Sequence, residues 1–234
     1  MGSLTLVAFD VDGTLIDSQG TIVLAMERAF EGHGLAVPPP AAVRGVIGLS
    51  LPEAIGRLLP EDAPPALAEA LSADYRAAFF ELRQAGAPDP LFPGAAQALV
   101  RAARAGHLLA LVTGKSRRGV TALLERPDVQ ALGVSIDAIA TADDGPGKPD
   151  PFLLRKAMAD VGVDPAFTLM VGDTTYDMEM AVRAGVPAVG VSWGYHAPQA
   201  LAAAGAGRVI DRFEELSFDD LPAGRRMLGE THPA

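Results

Sequence analysis

The chain has 234 residues, 49% of them hydrophobic, enough to bury a sizeable core in one large domain or two smaller ones. A formal net charge of −10 and an isoelectric point near 4.8 argue against nucleic-acid binding and against attachment to anionic membranes. There is no Cys, which rules out a disulfide framework and thiolate metal binding. The first apolar stretch carries Asp10 and Asp12, unlike a signal peptide, and no uninterrupted apolar run is long enough to cross a bilayer, so a cytoplasmic protein is expected.

The first predicted strand, Leu4 to Phe9, runs straight into two carboxylates in "LVAFDVDGTLIDS": Asp10 and Asp12, followed by Gly13 and Thr14. From about Asp17 to Ala87 the apolar residues keep a helical period, punctuated at Pro38 to Pro40, Pro52, Pro60, Pro64 and Pro65, and no strand is predicted. Residues 17–87 therefore read as an inserted helical subdomain, with "GAPDPLFPG", Gly86 to Gly94, as the linker out of it. Beyond it come a helix over Gly94 to Ala105, a strand over His107 to Val112 and a helix over Arg117 to Leu124. A strand over Ile136 to Ala140 and a helix over Pro151 to Val161 follow, the helix opening on Pro as helix starts often do. The pattern closes with a strand over Thr168 to Val171, a helix over Tyr176 to Ala184 and strands over Ala188 to Val191 and Arg208 to Ile210. The tail after Asp219 reads as a loosely held terminus. Short β-rich runs alternating with helices imply an α/β fold, a doubly wound parallel sheet built from residues 1–16 and 88–234.

In an open parallel sheet, ligands bind beyond the carboxyl ends of the strands. Four such ends carry chemistry here: Asp10 and Asp12 after the first strand, Thr113 in "LALVTGKS", Lys148 in "ATADDGPGKPDP", and Asp173 with Asp177 in "LMVGDTTYD". Taken singly, each Asp or Thr reads as a helix cap or turn former, and Lys148 as a surface lysine. Together they would crowd carboxylates into one crevice, which requires something positive there. Oxygen-only ligands with no Cys or His at these ends suit Mg²⁺, and Lys148 adds a further positive charge.

"TGKS", Thr113 to Ser116, imitates the end of a nucleotide-binding P-loop, but the position that must be Gly is Leu109, inside the strand. In "GKPDP", Pro149 stands where Ser or Thr would bind the metal.

"DVDGTL", the Thr after the second strand, "GKPDP" and "GDTTYDMEMA" resemble, in order and spacing, the four motifs of the haloacid dehalogenase superfamily. The resemblance covers the whole core. Residues 17–87 resemble the helical cap of the phosphoglycolate phosphatase-like branch, and "VSWGYH", Val191 to His196, resembles a segment common there. It implies a Rossmann-like core with an all-helical cap, and a Mg²⁺-dependent phosphatase acting on a small-molecule phosphate monoester, phosphoglycolate favoured. Asp10 would be the nucleophile and form an aspartyl phosphate, while Asp12 would act as acid and then base. Mg²⁺ would be held by Asp10, the Asp12 backbone carbonyl and Asp173. Gly13, Thr113, Gly114 and Lys148 would cradle the phosphate. Asp177 would support the site, through a metal-bound water or by orienting Lys148.

Among sister activities, dehalogenation does not need Asp12 and Asp173. A β-phosphoglucomutase-like phosphosugar mutase usually carries a His after the first motif, where Thr21 to Leu24 has none. A receiver-type signalling module would place its phosphoacceptor on a middle strand and lack the helical insertion; a non-catalytic phosphate-binding protein would not require the full residue set. Within the cap, "AVRGVIGLSLPEAI", Ala42 to Ile55, suits a segment facing the site. Arg44 there, and Lys115 in the core, are candidate substrate contacts. Oligomeric state is not legible in these motifs.

Overall fold

The computed structural model describes residues 4–86 and 88–218, so the tail after Asp219 lies outside the described residues. The chain runs β1 (Leu6–Phe9), then four consecutive helices, α1 (Gln19–Gly32), α2 (Pro40–Val46), α3 (Leu51–Leu58) and α4 (Pro65–Ala85). There follow α5 (Ala95–Arg104), β2 (Leu108–Val112), α6 (Arg117–Leu124), α7 (Pro127–Gln130), β3 (Ala138–Ala140) and α8 (Phe152–Val161). The described chain closes with β4 (Thr168–Gly172), α9 (Thr175–Ala184), β5 (Ala188–Val191), α10 (Pro198–Ala203) and β6 (Arg208–Ile210).

The six strands among the described residues are all parallel, in the order β3-β2-β1-β4-β5-β6. Strand side chains alternate between faces, and here both faces are apolar. Val7 and Phe9 pack in one cluster with Ala98, Leu99 and Ala102 of α5 and Val120 and Leu123 of α6. Leu6 and Ala8 pack in the opposite cluster with Leu153, Leu154, Ala157 and Met158 of α8 and Met178, Met180 and Ala181 of α9. A sheet covered on both sides needs uninterrupted apolar strands, which is why "LVAF" and "LLALV" carry no polar residue until they end. The doubly wound α/β architecture is as the sequence implies, and β1, between β2 and β4, is where the winding reverses.

Two short helices were not predicted. α7 has four residues and α10 six, and each opens on a Pro at its first turn. Neither is long enough for a helical period to register. Strand ends also contract, Ile136 to Ala140 to the three residues of β3, where Ala138, Ile139 and Ala140 pair in register with Ala110, Leu111 and Val112 of β2, while the Asp137 amide just before them donates to the Leu109 carbonyl at 2.7 Å.

The four helices after β1 have their own apolar cluster, in which Ile22, Met26 and Phe30 of α1 meet Val43 of α2, Ile55 of α3 and Leu71 of α4. The chain enters and leaves this helical insertion side by side. Phe92 donates its amide to the Leu15 carbonyl at 2.9 Å, Asp17 to the Pro90 carbonyl at 2.9 Å, and Ile16 bridges Leu91 antiparallel.

Candidate active site

Asp10 follows β1, Thr113 follows β2 and Asp173 follows β4, so the strand order alone brings three sequence-distant groups to the same edge of the sheet. Lys148 reaches them from the loop before α8, and Asp177 from the first turn of α9. All five are buried.

Lys148 is the centre of the cluster. Its ammonium lies 2.7 Å from Asp10 Oδ1 and 2.6 Å from Asp177 Oδ1, with no exposed side-chain surface. Asp177 uses its other oxygen differently: Oδ2 accepts from the Thr174 amide at 3.1 Å and from Thr174 Oγ1 at 2.7 Å, closing a capping box at the start of α9. Asp177 thus both caps its helix and pairs with Lys148. Asp173 is held from two sides, Oδ1 accepting from Thr14 Oγ1 at 2.8 Å and Oδ2 from the Tyr195 amide at 2.9 Å.

Carboxylate oxygens of Asp10, Asp173 and Asp177 come within 4.8 Å of one another. At that spacing each ionised pair repels by roughly 3–4 kcal/mol at an effective dielectric near 20. One ammonium cannot balance three carboxylates, and burial penalises their charge. Burial lifts Asp10 to about 7 despite the nearby Lys148 ammonium, with Asp177 adding to the rise. Asp173 is likewise pushed well above the usual carboxylate range, by burial first and then by Asp10 and Asp177. Burial works against the charge on Lys148 too, but Asp10 and Asp177 outweigh it and hold its pKa above the ordinary lysine range. Asp10 Oδ2 is buried without a hydrogen-bond partner. A partnerless carboxylate oxygen, an excess of negative charge and an all-oxygen donor set fit a hard divalent cation such as Mg²⁺.

Asp12 stands apart from this cluster. Its carboxylate accepts from Ser18 Oγ at 2.6 Å and from Lys115 Nζ at 2.8 Å on each oxygen. The turn between Asp10 and Thr14 depends on Gly13, whose φ of +90° favours glycine and whose absent side chain leaves room for the Asp173 carboxylate and the Tyr195 ring. Thr113 is buried, its hydroxyl accepting from the Lys115 amide at 3.1 Å, and a Cβ on Gly114 would press on the Leu49 carbonyl oxygen at 2.6 Å. The helical insertion therefore lies directly on the β2 loop.

Asp10, Asp12, Thr113, Gly114 and Lys115 all line one cavity of about 720 Å³ between the sheet edge and α1 to α4. Arg44 is not among its lining residues. α2 buries Val43 and Val46, and Arg44 falls on another side of that helix. Sequence reasoning did not single out Tyr75, Phe79 and Arg76 of α4, which do line the cavity. The Tyr75/Phe79 spacing was available as a signal, but the same i, i+4 aromatic pattern marks ordinary core helices. It also gave no role to Ser18, or to the Thr14 hydroxyl and Tyr195 amide that position Asp173.

The sequence profile of the haloacid dehalogenase-like hydrolases matches residues 7–191. The chain is 37% identical over 214 residues to "Probable phosphatase IndB" of Dickeya dadantii, covering 90% of this chain and 91% of that protein. It is 35% identical over 216 residues to a plasmid-borne phosphoglycolate phosphatase of Cupriavidus necator, covering 91% of each. In structure it resembles a hydrolase from Pseudomonas syringae, with a TM-score of 0.77 at 28% identity, over 90% of this chain and 94% of that one. Sheet order, the buried acidic cluster at the strand ends and these likenesses converge: the chain belongs to the haloacid dehalogenase-like hydrolase family.

Proposed function

We propose that this chain is a Mg²⁺-dependent phosphatase that hydrolyses a small-molecule phosphate monoester through an aspartyl phosphate on Asp10. The observation that carries the reading is the state of Asp10 at the floor of the cavity: Oδ1 is fixed by Lys148 at 2.7 Å, while Oδ2 is buried and without a partner. An oxygen held in place but not consumed by the protein is what an attacking nucleophile requires.

Asp10 would attack phosphorus, forming a P–O bond as the bond to the substrate alcohol breaks, and Asp12 would give its proton to the departing alkoxide. Asp12 would then take a proton from water as that water attacks phosphorus, releasing inorganic phosphate and restoring the Asp10 carboxylate. Lys148, the Thr113 hydroxyl and the Gly114 amide would face the phosphoryl oxygens. Asp10, Asp173 and the Asp12 carbonyl would hold Mg²⁺, which when bound neutralises charge on the phosphoryl group. Residues 17–87 would serve as the cap that excludes water, hinged where residues 15–17 and 90–92 run together. No helix among the described residues is long and apolar enough to cross a membrane, which is compatible with the cytoplasmic setting expected from the sequence.

The test is phosphate release from a panel of esters with and without Mg²⁺, beside Asp10→Asn. Phosphoglycolate, for which the Cupriavidus relative is named, is the reference ester, and β-glucose 1-phosphate is included with product analysis for isomerised sugar phosphate. Mg²⁺-dependent release that disappears in Asp10→Asn supports the reading. Release that survives the substitution, or an isomerised product in place of free phosphate, overturns it.

A further inference from the structure

The cavity above Asp10 is larger and more apolar than a two-carbon ester needs. Its volume of about 720 Å³ lies within the roughly 300–1,000 Å³ typical of sites for drug-sized ligands. This is its size with the helical insertion already lying on the sheet: Tyr176 Oη donates to the Gly45 carbonyl at 2.8 Å, and Gly114 leaves no room for a side chain beneath Gly48 and Leu49. Between the floor carboxylates and the solvent the wall includes Met26, Ile47, Leu49, Tyr75 and Phe79. Tyr75 and Phe79, one turn apart on α4, stack with ring centroids 5.8 Å apart and planes 25° apart.

A carboxylate close to the scissile bond would need a cation that is not already committed. Lys148 is shared by Asp10 and Asp177, Lys115 gives 2.8 Å bonds to both oxygens of Asp12, and Arg83 lies 3.4 Å from Asp89. Arg76 and Arg118 also line the cavity but are exposed, and the Arg118 guanidinium lies 4.5 Å from the centroid of the Phe80 ring. Positive charge is thus arranged for one phosphoryl group at the floor, and the wall beyond it favours apolar surface.

Resting on the phosphatase reading above, we propose that the preferred ester carries an alcohol with a flat, ring-bearing apolar body that lies against Tyr75 and Phe79, and that phosphoglycolate is a poor substrate. The ring is what separates good esters from bad, because the phosphoryl contacts are common to all of them.

The experiment measures kcat/KM for ethyl phosphate, 2-phenylethyl phosphate, 2-(naphthyl)ethyl phosphate and phosphoglycolate. The first three release primary alkoxides of similar basicity, so differences among them report the wall and not the leaving group. A rise of at least about tenfold from ethyl to naphthylethyl ester is expected, with phosphoglycolate well below the latter. Phe79→Ala should lower kcat/KM for the ring-bearing esters several-fold more than for ethyl phosphate. A flat series, or phosphoglycolate as the best ester, overturns the proposal. Calorimetric affinities of Asp10→Asn for the same esters separate the two readings. Affinity that grows with the ring without turnover in the wild type overturns the phosphatase and keeps the cavity's selectivity; turnover indifferent to the ring does the reverse.

Discussion

Lys115 Nζ stands 2.8 Å from each carboxylate oxygen of Asp12, so the proposed acid and base is held by its own cation, apart from the Asp10, Asp173 and Asp177 cluster. The two side chains are only 9% and 12% exposed, which removes most of the solvent screening that weakens surface pairs. Lys115→Met leaves Asp12 with Ser18 alone and is expected to cost about 1–3 kcal/mol in urea unfolding. In a double-mutant cycle with Asp12→Asn the two changes should be coupled by about 1 kcal/mol or more, the loss of Lys115 mattering little once Asp12 is neutral. A coupling below about 0.3 kcal/mol would mean the pair contributes nothing to the fold.

Three buried carboxylates around one ammonium predict that a divalent cation stabilises the folded chain. Mg²⁺ binding to the native state alone adds RT ln(1 + [L]/Kd), about 2.7 kcal/mol at a hundredfold excess over Kd. Thermal unfolding should therefore shift upward with Mg²⁺ and return with chelator, with no substrate present. Asp173→Asn should lose most of that shift. It removes one charge from a repelling cluster, so this variant is expected to be no less stable than the wild type in the absence of metal. An undiminished Mg²⁺ shift in Asp173→Asn would exclude Asp173 from the metal site.

The position of Asp173 is fixed by two glycines that sit far apart in sequence. A Cβ on Gly13 or on Gly194 would collide with the Asp173 side chain, and Gly13 also has a φ of +90°. Gly194→Ala is expected to displace Asp173 and the Tyr195 amide that holds it, cutting Mg²⁺-dependent activity at least about tenfold and costing about 1–3 kcal/mol. Gly34→Ala is the control for backbone strain. Its φ is +66° and nothing lies within 4 Å of the added Cβ, so it should cost about 1 kcal/mol and leave the Mg²⁺ response intact. Equal effects at Gly34 and Gly194 would show that crowding of Asp173 is not the cause.

The strands and the strand-end residues were legible because a doubly covered sheet forces each strand to stay apolar until it ends. The first polar residue after "LVAF" or "LMVG" is therefore already at the ligand edge. The meeting of Asp10 and Asp173 follows from strand order once β1 is placed next to β4, whereas Lys148 arrives on the loop before α8. Asp177 could not be resolved that way, since its two oxygens do different work: one closes a helix cap that sequence can read, the other reaches a lysine 29 positions upstream. Arg44, which does not line the cavity, and Phe79, which does, could not be told apart in the sequence for the opposite reason. Which side of a helix in the insertion faces the cavity depends on how four helices pack together, and α2 buries Val43 and Val46 while α4 brings Tyr75 and Phe79 to the wall.

His107, just before β2, gives the fold a defined response to acid. Its Nδ1 lies 2.7 Å from Thr5 Oγ1, its ring is 5.2 Å from that of Phe218, and burial lowers its pKa below the ordinary 6.5. The unfolded chain therefore takes up a proton at this residue before the folded chain does. Stability from the neutral ring is present above about pH 6.5 and is lost as pH falls below it. Asp10 and Asp173, held above the ordinary carboxylate range, stabilise the folded chain as pH falls and so oppose this loss. The His107 part is therefore read as a difference: the urea midpoint of the wild type relative to that of His107→Gln, which keeps a hydrogen-bonding amide near Thr5 but does not titrate, should drop between about pH 7.5 and about pH 5. His196 is shifted in the same direction as His107 by burial, so the drop relative to the double variant with His196→Gln should be larger than the drop relative to His107→Gln alone. Parallel curves for wild type and His107→Gln would show that this ring stays neutral or charged alike in both states.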